Sequence, residues 1–402
     1  MSASILKEPF SFRMIPADVD QHLMPIAQIV SDAFAGGEYV EEISQTYIGN
    51  CHYDFDSTRL IYAGDELVHH WGVWGYAMRM ESVQLNVAGI GAVFTREPHR
   101  KQGLMTKAAA DSIGALKENG YDLSILRGRH YVKYGYVRAW NYVTYILKPE
   151  EIPEYVINPE YTLLTKDHLD DVVELYNNTH QKFTGTAMRP TYRFIDSDLG
   201  IYGWFDKGGT LTGYVRAIPT DDKKALQCLE ATGEPEIGLA VLRDLFENGE
   251  YETLNFYTIP HLHPILQFLR RGAFIVEDRY FKDTGWRVKV INLESSLGKL
   301  QPLFERRLKR SHFKDWRGEL HIDAGDQNAN LLIDNGNVQV TEPTQSENSV
   351  QGGPAIARFL IGSDEPGEII QQEEIACMGA AEDLVTVLFP NLYPMMSHWD
   401  EY

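Results

Sequence analysis

A short basic loop that contains a glycine connects a predicted strand to a predicted helix. Residues 83–95 are rich in small and β-branched side chains, which predicts a strand, and apolar residues recur at helical spacing over 103–119. The connection contains Arg100, Lys101, Gln102 and Gly103. The first N–H groups of a helix carry partial positive charge, and glycine lets an anion approach the backbone closely, so this loop has the composition of a phosphate site. From the residues alone, a solvated turn before the helix is an equal alternative.

The elements around this loop predict a mixed α/β domain. Residues 20–34 carry apolar side chains at helical spacing and end at a glycine pair. Strands are predicted at residues 59–63, 67–80, 83–95, 123–126 and 137–147. Antiparallel strands therefore lead into a strand–helix–strand unit, and we expect this domain to occupy residues 1–150.

Two further regions follow in the chain. Residues 149–159 hold three prolines and predict a linker. Residues 151–285 repeat the order strand, helix, strand, helix, strand, which indicates a degenerate second copy of the first domain. From residue 286 the pattern changes to a strand at 286–291, an amphipathic helix at 293–308 and a hairpin centred on Asn335-Gly336. We expect residues 286–402 to form a third domain with a docked aromatic tail.

Composition and charge exclude several classes of protein. The 402 residues include 57 acidic and 37 basic ones, for a formal net charge of −20. This charge opposes a nucleic-acid partner and attracts cations such as amines, although it also serves plain solubility. No apolar run of membrane-spanning length and no signal-peptide pattern is present, so no membrane partner is expected. Cys51, Cys228 and Cys377 are too far apart for a disulfide framework, which favours a reducing, cytoplasmic setting.

Two motifs carry a resemblance to a known family. The loop at residues 100–105 resembles the acetyl-CoA motif of Gcn5-related N-acetyltransferases (GNAT): arginine or glutamine, two residues, glycine, one residue, glycine or alanine. Met105 departs at the last position, and residues 99–104 look like the loop of the enhanced-intracellular-survival (Eis-type) subgroup. The segment from Tyr131 to Tyr136 resembles the tyrosine–glycine–aromatic signature that follows the fifth strand of these enzymes.

The resemblance implies a complete architecture and an acetyl-CoA site. The fold would be α/β (α+β), with tandem GNAT folds, the second degenerate, followed by a C-terminal sterol-carrier-protein-like domain that delivers the chain terminus to the active site. Backbone groups of Val93 and Thr95 would pair with the pantetheine arm of acetyl-CoA. The backbone amides that would hold its pyrophosphate are those of Arg100, Lys101, Gln102, Gly103 and Leu104.

The resemblance also assigns catalytic and substrate-binding groups. Tyr131 would be the general acid that protonates the departing thiolate, with Tyr134 and Tyr136 as rival assignments. The α-carboxylate of Tyr402 would be the general base. Carboxylates that could bind an amine are Glu38, Glu41, Glu42 and Glu401. Where the aminoglycoside-modifying members place an acidic and an aromatic residue, this chain has Gly36 and Ala92, which leaves the acceptor open.

The combined hypothesis is an acetyl-CoA-dependent N-acetyltransferase that acts on an aminoglycoside, a polyamine or a lysine side chain. No metal is expected, because neighbours such as His69 and His70 face opposite sides of a strand. The resemblance implies a homo-oligomer, a hexamer in relatives. The alternative is a non-catalytic scaffold that senses acyl-CoA or binds lipid.

Overall fold

The structure is a computed structural model that describes residues 11–49, 52–154, 157–189 and 200–401. The α-helices in these ranges are α1 (Val19–Phe34), α2 (Val40–Glu42), α3 (Leu104–Glu118), α4 (Leu169–Thr179), α5 (Pro235–Asn248), α6 (Pro264–Leu269), α7 (Leu293–Lys309), α8 (Ile356–Ile361), α9 (Pro366–Gln372) and α10 (Ala381–Leu388). The strands are β1 (Phe12–Pro16), β2 (Arg59–Ala63), β3 (Glu66–Met80), β4 (Val83–Thr95), β5 (Leu123–Arg127), β6 (Val137–Arg138), β7 (Tyr142–Leu147), β8 (Thr162–Leu163), β9 (Ile201–Phe205), β10 (Leu211–Pro219), β11 (Ala225–Ala231), β12 (Thr253–Tyr257), β13 (Ile275–Arg279), β14 (Trp286–Val290), β15 (Arg317–Asp323), β16 (Asn328–Asp334), β17 (Asn337–Thr341), β18 (Asn348–Gln351) and β19 (Ala376–Met378). None of the described helices is long and apolar enough to cross a bilayer.

The chain divides into two compact units. The first contains the described residues up to Gly75 and Ala88–Tyr121, and the second contains Tyr76–Val87 and the described residues from Asp122 to Glu401. Strands β3 and β4 pass through both units, so each unit contains one end of each strand.

The first unit carries strands in the order β1-β2-β3-β4 together with helices α1 and α3. Helix α1 begins where the Asp18 side chain accepts a hydrogen bond from the Gln21 amide at 3.0 Å, and its apolar side packs into a core that includes Ile26, Leu60 and Trp74. Each such buried aliphatic side chain contributes about 2 kcal/mol through loss of contact with water. This packing holds β4, and with it the end of the strand that precedes the basic loop.

Helix α3 is attached to β2 by polar contacts as well as by packing. Ser112 Oγ donates to the Ser57 carbonyl at 2.8 Å, and Arg59 forms an ion pair with Asp111. The helix spans Leu104–Glu118, within one residue at each end of the range predicted from its apolar spacing. The prediction of this helix is confirmed.

Two strands of the second unit pair with partners outside the regions that the sequence pattern predicted for them. The single strand predicted at 137–147 is two strands: β6 pairs with β14, and β7 pairs with β12 and β13. Strand β14, expected in the third region, pairs with β5, so the order is β3-β4-β5-β14-β6. The predicted strand is interrupted at Trp140, whose ring stacks on Trp286 of β14 with 5.3 Å between centroids. Apolar alternation predicts that a strand forms and leaves its partner undetermined.

The second unit contains two further sheets, in the orders β13-β7-β12-β11-β10-β9-β8 and β17-β16-β15-β18-β19. In the latter, β16 and β17 form the predicted hairpin, and Asn335 and Gly336 adopt φ of 51° and 76° at its turn. Helix α7 is joined to the start of β5 through fully buried Asp122, which accepts from Ser295 Oγ at 2.6 Å and pairs with Lys299 at 2.6 Å.

Candidate active site

A backbone irregularity in β4 precedes the two residues predicted to pair with pantetheine. Ala92 has φ of +47°, which is unusual for a residue with a side chain. Its carbonyl accepts a hydrogen bond from His70 Nδ1 at 2.8 Å. Burial lowers the pKa of His70 to about 4, so the ring is neutral and its Nε2 accepts from the Tyr53 hydroxyl at 2.7 Å. The Ala92 carbonyl, immediately before Val93, is therefore held by the His70 ring, which Tyr53 holds in turn.

Thr95 is held through both its side chain and its backbone. Its hydroxyl lies 2.7 Å from His69 Nδ1, and its carbonyl accepts from Arg100 Nε at 3.0 Å. Burial lowers the pKa of His69 to about 3, so this ring is also neutral. The Thr95 carbonyl, which was expected to face pantetheine, is thus already bonded to a residue of the loop that follows it.

The loop itself leaves the start of α3 open. Lys101 has φ of +63° and Gly103 has φ of +77°, and Gly103 is the N-cap residue that directly precedes α3. No side chain caps the helix there, its first turn holds no acidic residue, and a Cβ built on Gly103 would meet no atom within 4 Å. Arg100, Lys101 and Gln102 are exposed, whereas Leu104 is buried. The loop therefore presents helix N–H groups beside two cations, as a pyrophosphate site requires.

The turn before this loop is anchored more firmly than the loop. Arg96 donates through Nε to the Leu67 carbonyl at 3.0 Å and through Nη2 to Asp32 at 3.3 Å. His99 is buried and packs edge-on against Phe12, with ring centroids 5.9 Å apart. Residues 100–103 are exposed and follow an anchored turn, which suits a ligand-binding loop.

The predicted general acid lies on a tight turn in the second unit. Tyr131 belongs to the 3₁₀ helix Arg129–Tyr134, between Gly128 at φ of +114° and Gly135 at φ of +85°. Burial, with a smaller effect of Tyr134, raises the pKa of Tyr131 to about 12, so the phenol keeps its proton over the whole physiological range.

The rival tyrosine Tyr136 is placed differently. It is fully buried, and its hydroxyl lies 2.7 Å from Ser124 Oγ of β5. Its ring packs edge-on against Tyr131 with 6.4 Å between centroids. Tyr136 therefore supports Tyr131 from the core side.

A cavity of about 400 Å³ lies beside this turn, and sequence reasoning missed it. Tyr142 and Tyr257 stack with 6.0 Å between centroids, and Phe281 packs edge-on against Tyr142. The full lining is Arg127, Gly128, Tyr142, Tyr257, Phe281, Asp283 and Thr284. These residues come from four separate stretches of sequence, and no local motif connects them.

The carboxylate of Glu401 forms an ion pair with Arg127 at the end of β5. Burial raises the pKa of Glu401, and the charge of Arg127 opposes this shift. Arg127 also lies over the Trp286 ring, 4.5 Å from its centroid. Glu401 is thus bound to Arg127, which precedes Tyr131 by four residues in the sequence, and the positive charge of Arg127 offsets the negative charge of Glu401.

The other predicted site residues belong to the first unit or lie outside the described residues. Glu38, Glu41 and Glu42 are exposed around the start of α2 in the first unit. Tyr402, the predicted base, lies outside the described residues. No group of three histidine, cysteine, aspartate or glutamate residues is arranged to hold a metal ion in the part of the chain that the structure describes.

Comparison with known proteins matches part of the chain to a family model. Residues 19–139 match the family model described as an acetyltransferase (GNAT) domain. The solved structures that resemble the chain include a GCN5-related N-acetyltransferase from Anabaena variabilis, 15% identical over 96% of this chain and 99% of that chain, with a TM-score of 0.73. Another, from Kribbella flavida, is 15% identical over 98% and 99% of the chains, with a TM-score of 0.70. Eis1 from Mycobacterium abscessus is 13% identical over 96% and 99%, with a TM-score of 0.66.

At these identities the structural likeness shows the fold alone, and the family match over residues 19–139 supports acyl-CoA-dependent acetyl transfer. No curated protein matches the sequence. The matched range contains β4, the basic loop, α3 and the Tyr131 turn. The chain is thus an acyl-CoA-dependent acetyltransferase that carries a GNAT domain.

Proposed function

We propose that the protein transfers an acetyl group from acetyl-CoA directly to a cationic amine: an aminoglycoside, a polyamine or a lysine side chain. The observation that carries this proposal is the open N-terminus of α3 behind Lys101 and Gly103, inside the matched GNAT range. Backbone amides of residues 100–104 bind the pyrophosphate, and Val93 and Thr95 bind the pantetheine arm. The strong acidity of the chain favours a cationic acceptor.

The reaction is a single displacement. The amine nitrogen attacks the acetyl carbonyl, whose oxygen accepts a hydrogen bond from the Val93 amide as negative charge develops. The C–S bond then breaks, and the Tyr131 hydroxyl donates its proton toward the leaving sulfur. The α-carboxylate of Tyr402 takes the proton that the amine nitrogen loses, and the sulfur receives one through Tyr131. A proton passed from Tyr402 to Tyr131 through water restores both groups, so the products are the neutral amide and the CoA thiol.

The raised pKa of Tyr131 defines its contribution. A thiol has a pKa of about 8.5, so a phenol with pKa of about 12 stabilises the developing thiolate mainly through a strong hydrogen bond. Burial keeps this donor protonated over the whole physiological pH range.

We propose the same wider organisation that the resemblance implies. The GNAT domain would occupy residues 1–150, a degenerate copy 151–285, and a sterol-carrier-like domain 286–402. A cytoplasmic location and a homo-oligomer, with a hexamer as the first candidate, complete the proposal. Light scattering of purified protein tests the assembly, and a monomer contradicts it.

Thiol release from acetyl-CoA, measured against a panel of amines, tests the function. Release that requires an added amine and yields the acetylated amine by mass spectrometry supports the proposal. Binding of acetyl-CoA without turnover on any amine overturns it and favours the scaffold alternative.

A further inference from the structure

The last described residues of the chain are held by a buried arginine far from them in sequence. Arg189 donates through Nε to Asp400 Oδ1 at 3.0 Å. Its two terminal nitrogens donate to the two carboxylate oxygens of Glu230, on β11, at 2.9 and 2.6 Å. All three side chains are nearly inaccessible to water. We call Arg189, Glu230 and Asp400 the Arg189 clamp.

Neighbouring hydroxyl groups complete the hydrogen bonding of the clamp. Tyr214 donates to Glu230 at 2.6 Å, and Tyr176 donates to Asp400 at 3.1 Å. Ser397, from the tail itself, donates to Glu230 at 2.7 Å and accepts from Arg189 at 3.0 Å. A bidentate arginine–carboxylate pair has a fixed planar geometry, and loss of one member leaves a buried charge without compensation, so this arrangement tolerates little displacement.

Aromatic contacts fix Trp399, the residue before Asp400, and the guanidinium of Arg189. Trp399 is buried in an apolar cluster, and the Arg216 guanidinium lies 4.3 Å from its ring centroid. The Arg189 guanidinium lies 3.5 Å from the centroid of Tyr176. With the ion pair between Glu401 and Arg127, side-chain contacts hold Ser397, Trp399, Asp400 and Glu401, and the exposed His398 lies 3.4 Å from Arg216 Nη1 through its Nδ1.

We propose that Arg189 is a positioning residue that fixes the C-terminal segment for catalysis, through its bonds to Asp400, Ser397 and Glu230. The inference rests on the proposed function, in which the residue after Glu401 supplies the base. Arg189 touches no reacting atom. It acts because a base displaced by about 1 Å loses much of its effect, of the order of 10²-fold in rate.

The first measurement does not depend on acetyl transfer. Carboxypeptidase A releases an exposed aromatic C-terminal residue, so the initial rate of tyrosine release from a chain that ends at Tyr402 reports how well the tail is held. We expect Arg189→Met and Asp400→Asn to speed this release about 10-fold or more, because each removes charged hydrogen bonds that hold the tail. Arg358→Met is the matched control, because Arg358 is equally buried and pairs at 2.6 Å with Asp364 and Glu373, neither of which belongs to residues 397–401.

The second measurement is steady-state kinetics on the same variants. Arg189→Met should lower kcat about 10-fold or more and leave the KM for acetyl-CoA within about 2-fold, and Arg358→Met should change neither. The double variant Arg189→Met/Asp400→Asn should lose no more kcat than the single variant with the larger loss, because both substitutions act through one segment. Asp400→Asn keeps the shape of the side chain, so it provides the same kinetic test if Arg189→Met does not fold.

The outcomes separate the clamp from the proposed function. Equal tyrosine release from wild type, Arg189→Met and Asp400→Asn overturns the clamp. Faster release without any change in kcat overturns the link to catalysis. Faster release in a protein that acetylates no amine supports the clamp and refutes the proposed function alone.

Discussion

The basic loop of the first unit and the C-terminal segment of the second unit are built by opposite means. Residues 100–103 are exposed, carry two left-handed backbone conformations and lead into a helix start without a side-chain cap. Residues 397–401 are held by side chains, through the buried Arg189 clamp, the buried Trp399 and the Glu401–Arg127 pair. A loop that presents backbone groups is suited to bind an anion that comes and goes. A segment held by buried ionic hydrogen bonds is suited to keep one position.

The contrast teaches where substitutions act. In the loop, a change of side chain alters what the backbone can approach, so affinity for a ligand should change while the fold survives. In the proposed mechanism the side chains of the second unit take part themselves, so their removal should change rate or stability. Each prediction below tests one side of this difference, in order of decreasing effect.

Tyr131→Phe should have the largest effect, because it removes a proton donor from the second unit. We expect kcat to fall about 10²-fold, the usual size for a general acid. Since the pKa of Tyr131 is raised to about 12, the acidic form persists to high pH, and wild-type kcat should show no decline from this group below about pH 11. Steady-state rates from pH 7 to 10 measure both.

Tyr136→Phe is the control for this change. It removes a buried hydroxyl bonded to Ser124 and should cost about 1 kcal/mol of stability with kcat preserved. If Tyr136→Phe and Tyr131→Phe lower kcat equally, the assignment of Tyr131 is wrong.

Gly103→Asp should weaken acetyl-CoA binding about 10- to 100-fold, because a carboxylate at the start of α3 repels the pyrophosphate. Gly120 offers a matched control, since it has the same φ of +77° at the other end of the helix and equally open surroundings. Gly120→Asp should carry the same backbone strain, about 1 kcal/mol, and leave affinity unchanged. Titration calorimetry compares the two variants, and equal affinities would show that the loop does not hold the pyrophosphate.

Stability should fall as pH falls below about 6.5, in both units. Burial lowers the pKa of His69 and His180 to about 3, and of His70 and His263 to about 4. The unfolded chain binds protons at these sites below pH 6.5 and the folded chain does not, so the stabilisation is complete above pH 6.5 and is lost toward pH 4. Each histidine should cost of the order of 1 kcal/mol between pH 7 and pH 5.5.

Urea unfolding at several pH values checks this dependence. His263→Gln should flatten the acid slope, whereas the same change at exposed His312 should leave it as in wild type. A slope that is unchanged in His263→Gln contradicts the prediction.

The smallest effects are expected at the acidic residues proposed to bind the amine. Glu38 is exposed, and the charge of Glu401 is offset by Arg127, so each contributes less than about 1 kcal/mol to a cationic acceptor. Glu38→Gln should raise the acceptor KM less than about 5-fold with kcat unchanged. Glu401→Gln should give an equally small rise in KM together with a lower kcat, because the Glu401–Arg127 pair also holds the tail. A much larger rise at Glu401 would mean that the amine displaces Arg127 from it.

The sequence predicts the parts of this molecule that depend on local chain geometry. The strand, loop and helix over 83–118 and the turn at Asn335-Gly336 follow from glycine position and apolar period, which act over a few residues. The resemblance of the loop to an acetyl-CoA motif rests on the same local features, and the family match over residues 19–139 confirms the class.

The parts that escaped prediction depend on pairs that are distant in sequence. Arg189 and Asp400 are 211 residues apart in the sequence. Strands β14 and β5, which pair with each other, are separated by more than half of the residues of the second unit. The pair His69-His70 was visible as a motif, yet its bonds to Ala92 and Thr95 depend on the register of β3 against β4, which apolar alternation leaves undetermined.

Titration calorimetry of acetyl-CoA into the purified protein tests the central claim most directly. We predict saturable single-site binding that Gly103→Asp weakens and Gly120→Asp retains. Absence of binding heat in the wild type, at several temperatures, would contradict the acetyl-CoA site and the proposed function with it.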